Sequence, residues 1–157
     1  MKRFVLIIIT LGSLLTLNAK DILVSEVLDN YMIAWNEHNI QKIDSFYADD
    51  VLWYDLGYDY TTKGKVEVSK AIIQAFMGSV PDMYWAKSGD VFVSKNTIIY
   101  EWVYGGTFSG EWDGVLVKDK KFTIKGMSTT TINKDGKITS HKDYYDLYSF
   151  KKQLGLI

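Results

Sequence analysis

Removing an acidified carbon-bound proton needs a base, and the enolate oxygen that forms needs a donor beside it. The residues that best suit such work lie close together near the C-terminal end: His141, Asp143 and Asp146. A carboxylate buried in an apolar pocket has its pKa raised by desolvation, toward the range useful to a general base near neutral pH. Alternate side chains of a strand face opposite sides, so His141 shares a face with Asp143 and not with Asp146. His141 and Asp143 therefore form the first candidate couple. Asp146 is kept as an alternative catalytic group, or as a cap or brace at the end of the sheet. Lys137 and Lys142 nearby support the competing reading, a solvated face.

Asp55 stands beside Trp53 and Tyr54 on a predicted strand, from which it projects either into a cavity or outward. Aromatic residues make up 15% of the chain, with five Trp and eleven Tyr, more than filling the interior requires. Trp35, Trp53, Tyr84, Trp85, Trp102, Trp112 and Tyr144 serve as core or as ligand contacts, and rings of this kind pack well on flat or cyclic apolar molecules. His38, at the end of a predicted helix, reads as a carbonyl cap, and Glu101 and Glu111 as outward members of alternating strands.

Several chemistries are disfavoured. Two histidines, no cysteine and no tight acidic cluster argue against a metal site, a disulfide or a thiol nucleophile. No Gly-x-Ser-x-Gly elbow is present, and Gly105-Gly106 with Gly110 lack the spacing of a phosphate loop. The formal charge of −1 provides no field for nucleic acid or an anionic membrane.

These side chains need a scaffold, and 157 residues suffice for one domain. Lys2 and Arg3, the apolar run from Phe4 to Leu17 and then Asn18-Ala19 have the layout of a signal peptide over 1–19, with the domain over 22–157. The run is shorter than the roughly 20 residues of a membrane span, so no stable span is expected once the signal is removed. Apolar residues at spacings of three and four predict one helix over Ile22–His38 and a second, capped by Asn39, through Phe46 and Tyr47 to Asp49-Asp50. Val51–Leu56 reads as a strand, 57–64 as a loop or irregular hairpin, and Val66–Met77 as a third helix ended by Gly78 and Pro81. Met83–Val93, Thr97–Phe108, Lys121–Asn133 and Lys137–Tyr148 read as strands, with Asp135-Gly136 as the turn between the last two. Helices followed by hairpin-linked strands favour an α+β domain, a curved antiparallel sheet on three N-terminal-half helices, whose open end holds a small ligand.

In order along the chain, Trp35-Asn36-Glu37-His38-Asn39, Phe46 to Val51, Gly64 to Ile73, Pro81-Asp82, Gly106-Thr107-Phe108-Ser109-Gly110 and the stretch from Asp135 through Tyr144-Tyr145-Asp146 to Gly155 resemble the SnoaL-like, polyketide cyclase-like branch of the NTF2-like fold. The resemblance implies a cone-shaped barrel and, in enzymatic members, acid–base chemistry without metal or bound cofactor, such as ring closure by aldol condensation. Relatives on this fold isomerise, dehydrate or hydrolyse small apolar molecules. A second pocket histidine of the family has no obvious equivalent, Met127 and Thr129 occupying the neighbouring strand.

The expectation is an exported, periplasmic or secreted protein whose pocket takes a small hydrophobic or cyclic molecule. Its pocket residues are Trp35, Trp53, Asp55, Tyr84, Trp85, Trp102, Met127 and Tyr144, with His141, Asp143 and Asp146 for cyclase, isomerase or hydrolase chemistry. The rivals are a non-catalytic carrier or sensor and a homodimeric interaction module using the outer sheet face. Paired ionisable groups inside the cone indicate an enzyme, neutral groups a carrier, and a filled core an interaction module.

Overall fold

The structure is a computed structural model describing residues 24–157, so the signal segment expected over 1–19 lies outside the described residues. The first helix, α1, covers 24–36 and buries Leu28, Tyr31, Ala34 and Trp35 along the predicted stripe. At its end the Asn36 side chain accepts from the Trp85 backbone N–H at 2.9 Å and donates to the Trp85 carbonyl at 2.8 Å. That pair of bonds fixes α1 to the third strand. In α2, Ile40–Ser45, the Asn39 side chain caps the Lys42 N–H at 2.9 Å. The predicted continuation through Tyr47 is wrong: Tyr47 opens the first strand, where its ring packs edge-on to Tyr31 and its hydroxyl bonds that of Tyr31. Aromatic packing in the sheet outweighs the local helical period there.

β1, Tyr47–Asp55, turns back into the short antiparallel β2, Tyr60–Lys63. Three segments then follow without a break: α3, Lys65–Val68, a π-helical stretch, Ser69–Gln74, and α4, Ala75–Ser79. A wider π turn thus interrupts the single α-helix expected, and Ser69 within it donates to Asp44 of α2 at 2.8 Å.

The rest is mostly sheet: β3 Tyr84–Ser94, β4 Thr97–Trp112, β5 Val115–Ile132 and β6 Ile138–Tyr145. β4 and β5 extend beyond their predicted ends and meet at Asp113-Gly114, where both residues have positive φ, the backbone of a two-residue hairpin turn. The last strand stops at Tyr145, and α5, Leu147–Leu154, follows where strand had been expected to Tyr148. Phe150 of α5 packs on Phe122, while Gln153 bonds the backbone of Thr123 twice.

The strand order is β2-β1-β6-β5-β4-β3. Four of the pairings are antiparallel, as expected, and β1 with β6 is parallel. The helices cover one side of this curved sheet, and the core lies between, rich in edge-to-face rings: Tyr31 meets Trp35, Trp85 and His141. Gly126 fits this packing because the indole of its cross-strand partner Trp102 lies where a Cβ would stand.

Candidate active site

Strand pairing brings the chemical groups together. On the inner face, His141 of β6 stands opposite Thr130 of β5, and Asp143 opposite Ser128. Cross-strand partners share a face, so all four point into the cone. His141 Nε2 lies 3.0 Å from Asp143 Oδ1, and its Nδ1 lies 2.9 Å from the Thr130 hydroxyl. Ser128 donates to the same Asp143 oxygen at 2.5 Å and accepts from Trp102 Nε1 at 2.7 Å. The Tyr100 hydroxyl reaches Thr130 at 3.3 Å.

One assignment satisfies the whole chain. Tyr100 donates to Thr130, Thr130 donates to Nδ1, and the N–H on Nε2 donates to Asp143. Every donor in the series then points toward one carboxylate. The His141 side chain is 1% exposed, while that of Asp143 is 16% exposed. Among the described residues, Asp143 Oδ1 carries both side-chain bonds and Oδ2 carries none.

The second carboxylate arrives from β1. Asp55 is the parallel cross-strand partner of Asp143, accepts from the Tyr145 hydroxyl at 3.0 Å and accepts from the Tyr58 N–H at 3.2 Å. Burial holds its pKa above the ordinary carboxylate value; the Tyr145 and Tyr58 bonds oppose the shift, and the Asp143 charge adds to it. Tyr145 is itself pushed well above the usual phenol range, by burial and then by the Asp55 charge.

Both carboxylates open onto a cavity of about 100 Å³, walled by rings including Trp35, Trp53, Trp85 and Trp102. Ile72 from the π stretch, Phe76 from α4 and Phe150 from α5 close it on the helical side. Tyr104 also lines it, and its hydroxyl is buried with no partner among the described residues. Burial raises the Tyr104 pKa strongly, so the phenol keeps its proton and remains a donor.

Of the predicted site residues, Trp35, Trp53, Asp55, Trp85, Trp102, His141 and Asp143 line this cavity. Tyr84, Met127, Tyr144 and Asp146 do not. Tyr144 and Met127 are partners on the outer face, and Tyr84 lies outside across Gly105, bonding Thr123 at 3.0 Å. Asp146 caps α5 by accepting from the Ser149 N–H at 2.9 Å, the bracing alternative of its sequence reading. His38, with φ of 53°, ends α1 in the left-handed region and is exposed.

Ser128, Thr130, Tyr104 and Tyr145 were missed. Tyr145 follows from the parity rule that paired His141 with Asp143. For Ser128 and Thr130 the obstacle is a bulge. Ile132 opposite Ile138 would, in unbroken register, set Thr129 against His141 and Met127 against Asp143; an irregularity between Thr131 and Ile132 moves the pairing by one. One such step exchanges the two faces.

A curved mixed sheet enclosing an aromatic cavity with acidic groups on its wall defines a pocket-forming α+β protein of ketosteroid isomerase-like architecture. More particularly, the chain belongs to the SnoaL-like polyketide cyclase family, whose model matches residues 25–154. No curated protein matches the sequence. Among solved structures, one provisionally described as a SnoaL-like polyketide cyclase from Shewanella denitrificans has 21% identity and a TM-score of 0.74, covering 84% of this chain and 96% of its own. TsrD from Streptomyces laurentii has 19% identity and a TM-score of 0.73, with 86% and 96% covered. A Catenulispora acidiphila protein with a ketosteroid isomerase-like fold, solved in complex with trimethylamine, has 21% identity and a TM-score of 0.70, with 84% and 94% covered. At these identities the likeness establishes the fold. Among the described residues no group of three His, Cys, Asp or Glu side chains converges as a metal site, and no helix is long and apolar enough to cross a membrane.

Proposed function

We propose that this protein binds a small molecule in the aromatic cavity and moves a proton on it, with Asp143 as general base and His141 as the residue that positions Asp143. The carrying observation is the asymmetry of the Asp143 carboxylate, which lines the cavity and whose Oδ1 takes bonds from Ser128 and His141 while Oδ2 has no partner among the described residues. Fixed donors on one oxygen hold the group in place, and the other oxygen is left to accept a proton from carbon. Tyr104 supplies the complementary group, a protonated hydroxyl without a partner, suited to an oxygen that gains negative charge. Ionisable groups inside the cone favour a cyclase or isomerase type of enzyme over a carrier, and the open cavity disfavours a pure interaction module. A volume of about 100 Å³ favours a compact molecule over a fused polycyclic one. The signal-like segment at 1–19 supports action after export.

The test is exchange of α-protons for deuterium on a panel of small cyclic ketones and esters, followed by NMR. The wild type should accelerate exchange on part of the panel, and Asp143→Asn should remove the acceleration. Equal exchange by the wild type and Asp143→Asn, or none above buffer on the whole panel, overturns the reading.

A further inference from the structure

The walls and charges of the cavity also bear on which molecule enters it. Indole faces carry negative electrostatic potential, and a cation against them is attracted more strongly when both are desolvated. Four tryptophans wall this cavity, with Asp55 and Asp143 on the same surface and no Lys or Arg among its lining residues. Neither carboxylate is paired with a lysine or arginine among the described residues. Lys151, near Tyr58, is engaged by Asp113 at 2.7 Å. His141 lies 3.0 Å from Asp143, the one carboxylate it bonds, so Asp55 has no basic side chain beside it among the described residues. A buried negative charge with no cation beside it calls for a positive partner or a proton.

Size restricts the partner. The cavity, about 100 Å³, has room for a compact group and not for a fused ring system. We infer that the cavity selects a compact organic cation, an alkylated ammonium group whose methyls lie against the indole walls and whose charge faces Asp55 and Asp143. This rests on the cavity being the ligand site, and it names the chemical class for the substrate's head: a compact alkylated ammonium group, selected by charge over a neutral group of the same shape.

The test uses isothermal titration calorimetry of the folded protein with three probes of similar shape: tetramethylammonium, tert-butanol and pivalate. Tetramethylammonium should bind at least about tenfold more tightly than tert-butanol, and pivalate most weakly. Asp55→Asn, which keeps shape and removes charge, should weaken tetramethylammonium several-fold and leave tert-butanol unchanged. Because tetramethylammonium has no titratable proton, the pH dependence of its affinity reports the protein alone. Asp55 is faced by Asp143 and Tyr145 of β6 and by Tyr58 of the turn, with His141 behind Asp143. Affinity should increase with pH as the Asp55 carboxyl loses its proton.

Equal affinity for tetramethylammonium and tert-butanol overturns the cation preference and leaves the cavity a general small-molecule site. Tightest binding of pivalate overturns it as well. Absence of tetramethylammonium binding refutes it outright, and the ketone exchange assay then decides separately whether the catalytic reading survives. An unchanged tetramethylammonium affinity in Asp55→Asn, with the variant folded, removes Asp55 from the site.

Discussion

Two carboxylates face one cavity from neighbouring strands, and their surroundings differ. Asp143 receives bonds from Ser128 and His141, and behind these stand Trp102, Thr130 and Tyr100. Asp55 accepts from the Tyr145 hydroxyl and from backbone N–H groups of the following turn, and its burial favours the protonated form. Donors that are themselves held by a buried chain of bonds fix a charge at little reorganisation cost, whereas desolvation of a carboxylate held by one phenol and a turn leaves a charge in need of a partner. Position in the cavity is thus shared by the two carboxylates, and the network behind each is not.

The largest effect should come from separating the pair directly. If Asp143 is the base, Asp143→Asn should lower α-proton exchange by about 10²- to 10⁴-fold, while Asp55→Asn costs much less. Equal losses would erase the distinction. Next comes the network: Thr130→Val leaves His141 Nδ1 and the Tyr100 hydroxyl without their shared partner, both in the buried interior. A loss of about 1–3 kcal/mol in urea unfolding is expected, with reduced exchange activity. Thr130→Ser should restore both, which a simple packing role for the threonine methyl would not allow.

Smaller effects complete the contrast. Asp146→Ala removes the cap of α5 and should cost about 1 kcal/mol of stability while the exchange rate per folded molecule stays at the wild-type value. Asp55→Asn should raise the melting temperature slightly near pH 7, where the ionised carboxylate is held against its preference. Because the folded pKa is raised, the stabilising contribution of the protonated Asp55 is complete below the unfolded value near 3.9 and is lost as pH rises through the folded one. The gain from the asparagine should therefore disappear on acidification.

Much of this arrangement was legible without coordinates. Strand parity alone selected His141 with Asp143 and set Asp146 apart, and the stripe of α1 placed Trp35 inside. Residues whose position depends on pairing between strands were not legible. Thr130 and Ser128 enter the site through a bulge beside Ile132, which leaves no mark in the hydrophobic pattern of β5. The helix after Asp146 reads as strand in the sequence because Tyr148 prolongs the aromatic, β-prone run of Tyr144 and Tyr145, so that Asp146 suggests a cap or brace for the sheet, or a catalytic group, and not the start of a helix. The π turn at Ser69–Gln74 was likewise invisible, since its apolar residues also satisfy an ordinary helical period.

The parallel pairing of β1 with β6 has a consequence for how the molecule is assembled. β6 is the last described strand, yet it lies in the middle of the sheet, between β1 and β5. During synthesis β1 emerges early and has no neighbour on that side until the other described strands and then β6 have left the ribosome. Until then the sheet has two unpaired inner edges, a hazard for misassembly, and its closure is a long-range event of the slow kind. Both carboxylates meet in that final step. A chain truncated before Ile138 therefore loses the seam that joins the sheet as well as Asp143, and the integrity of the pocket reports that this seam has closed.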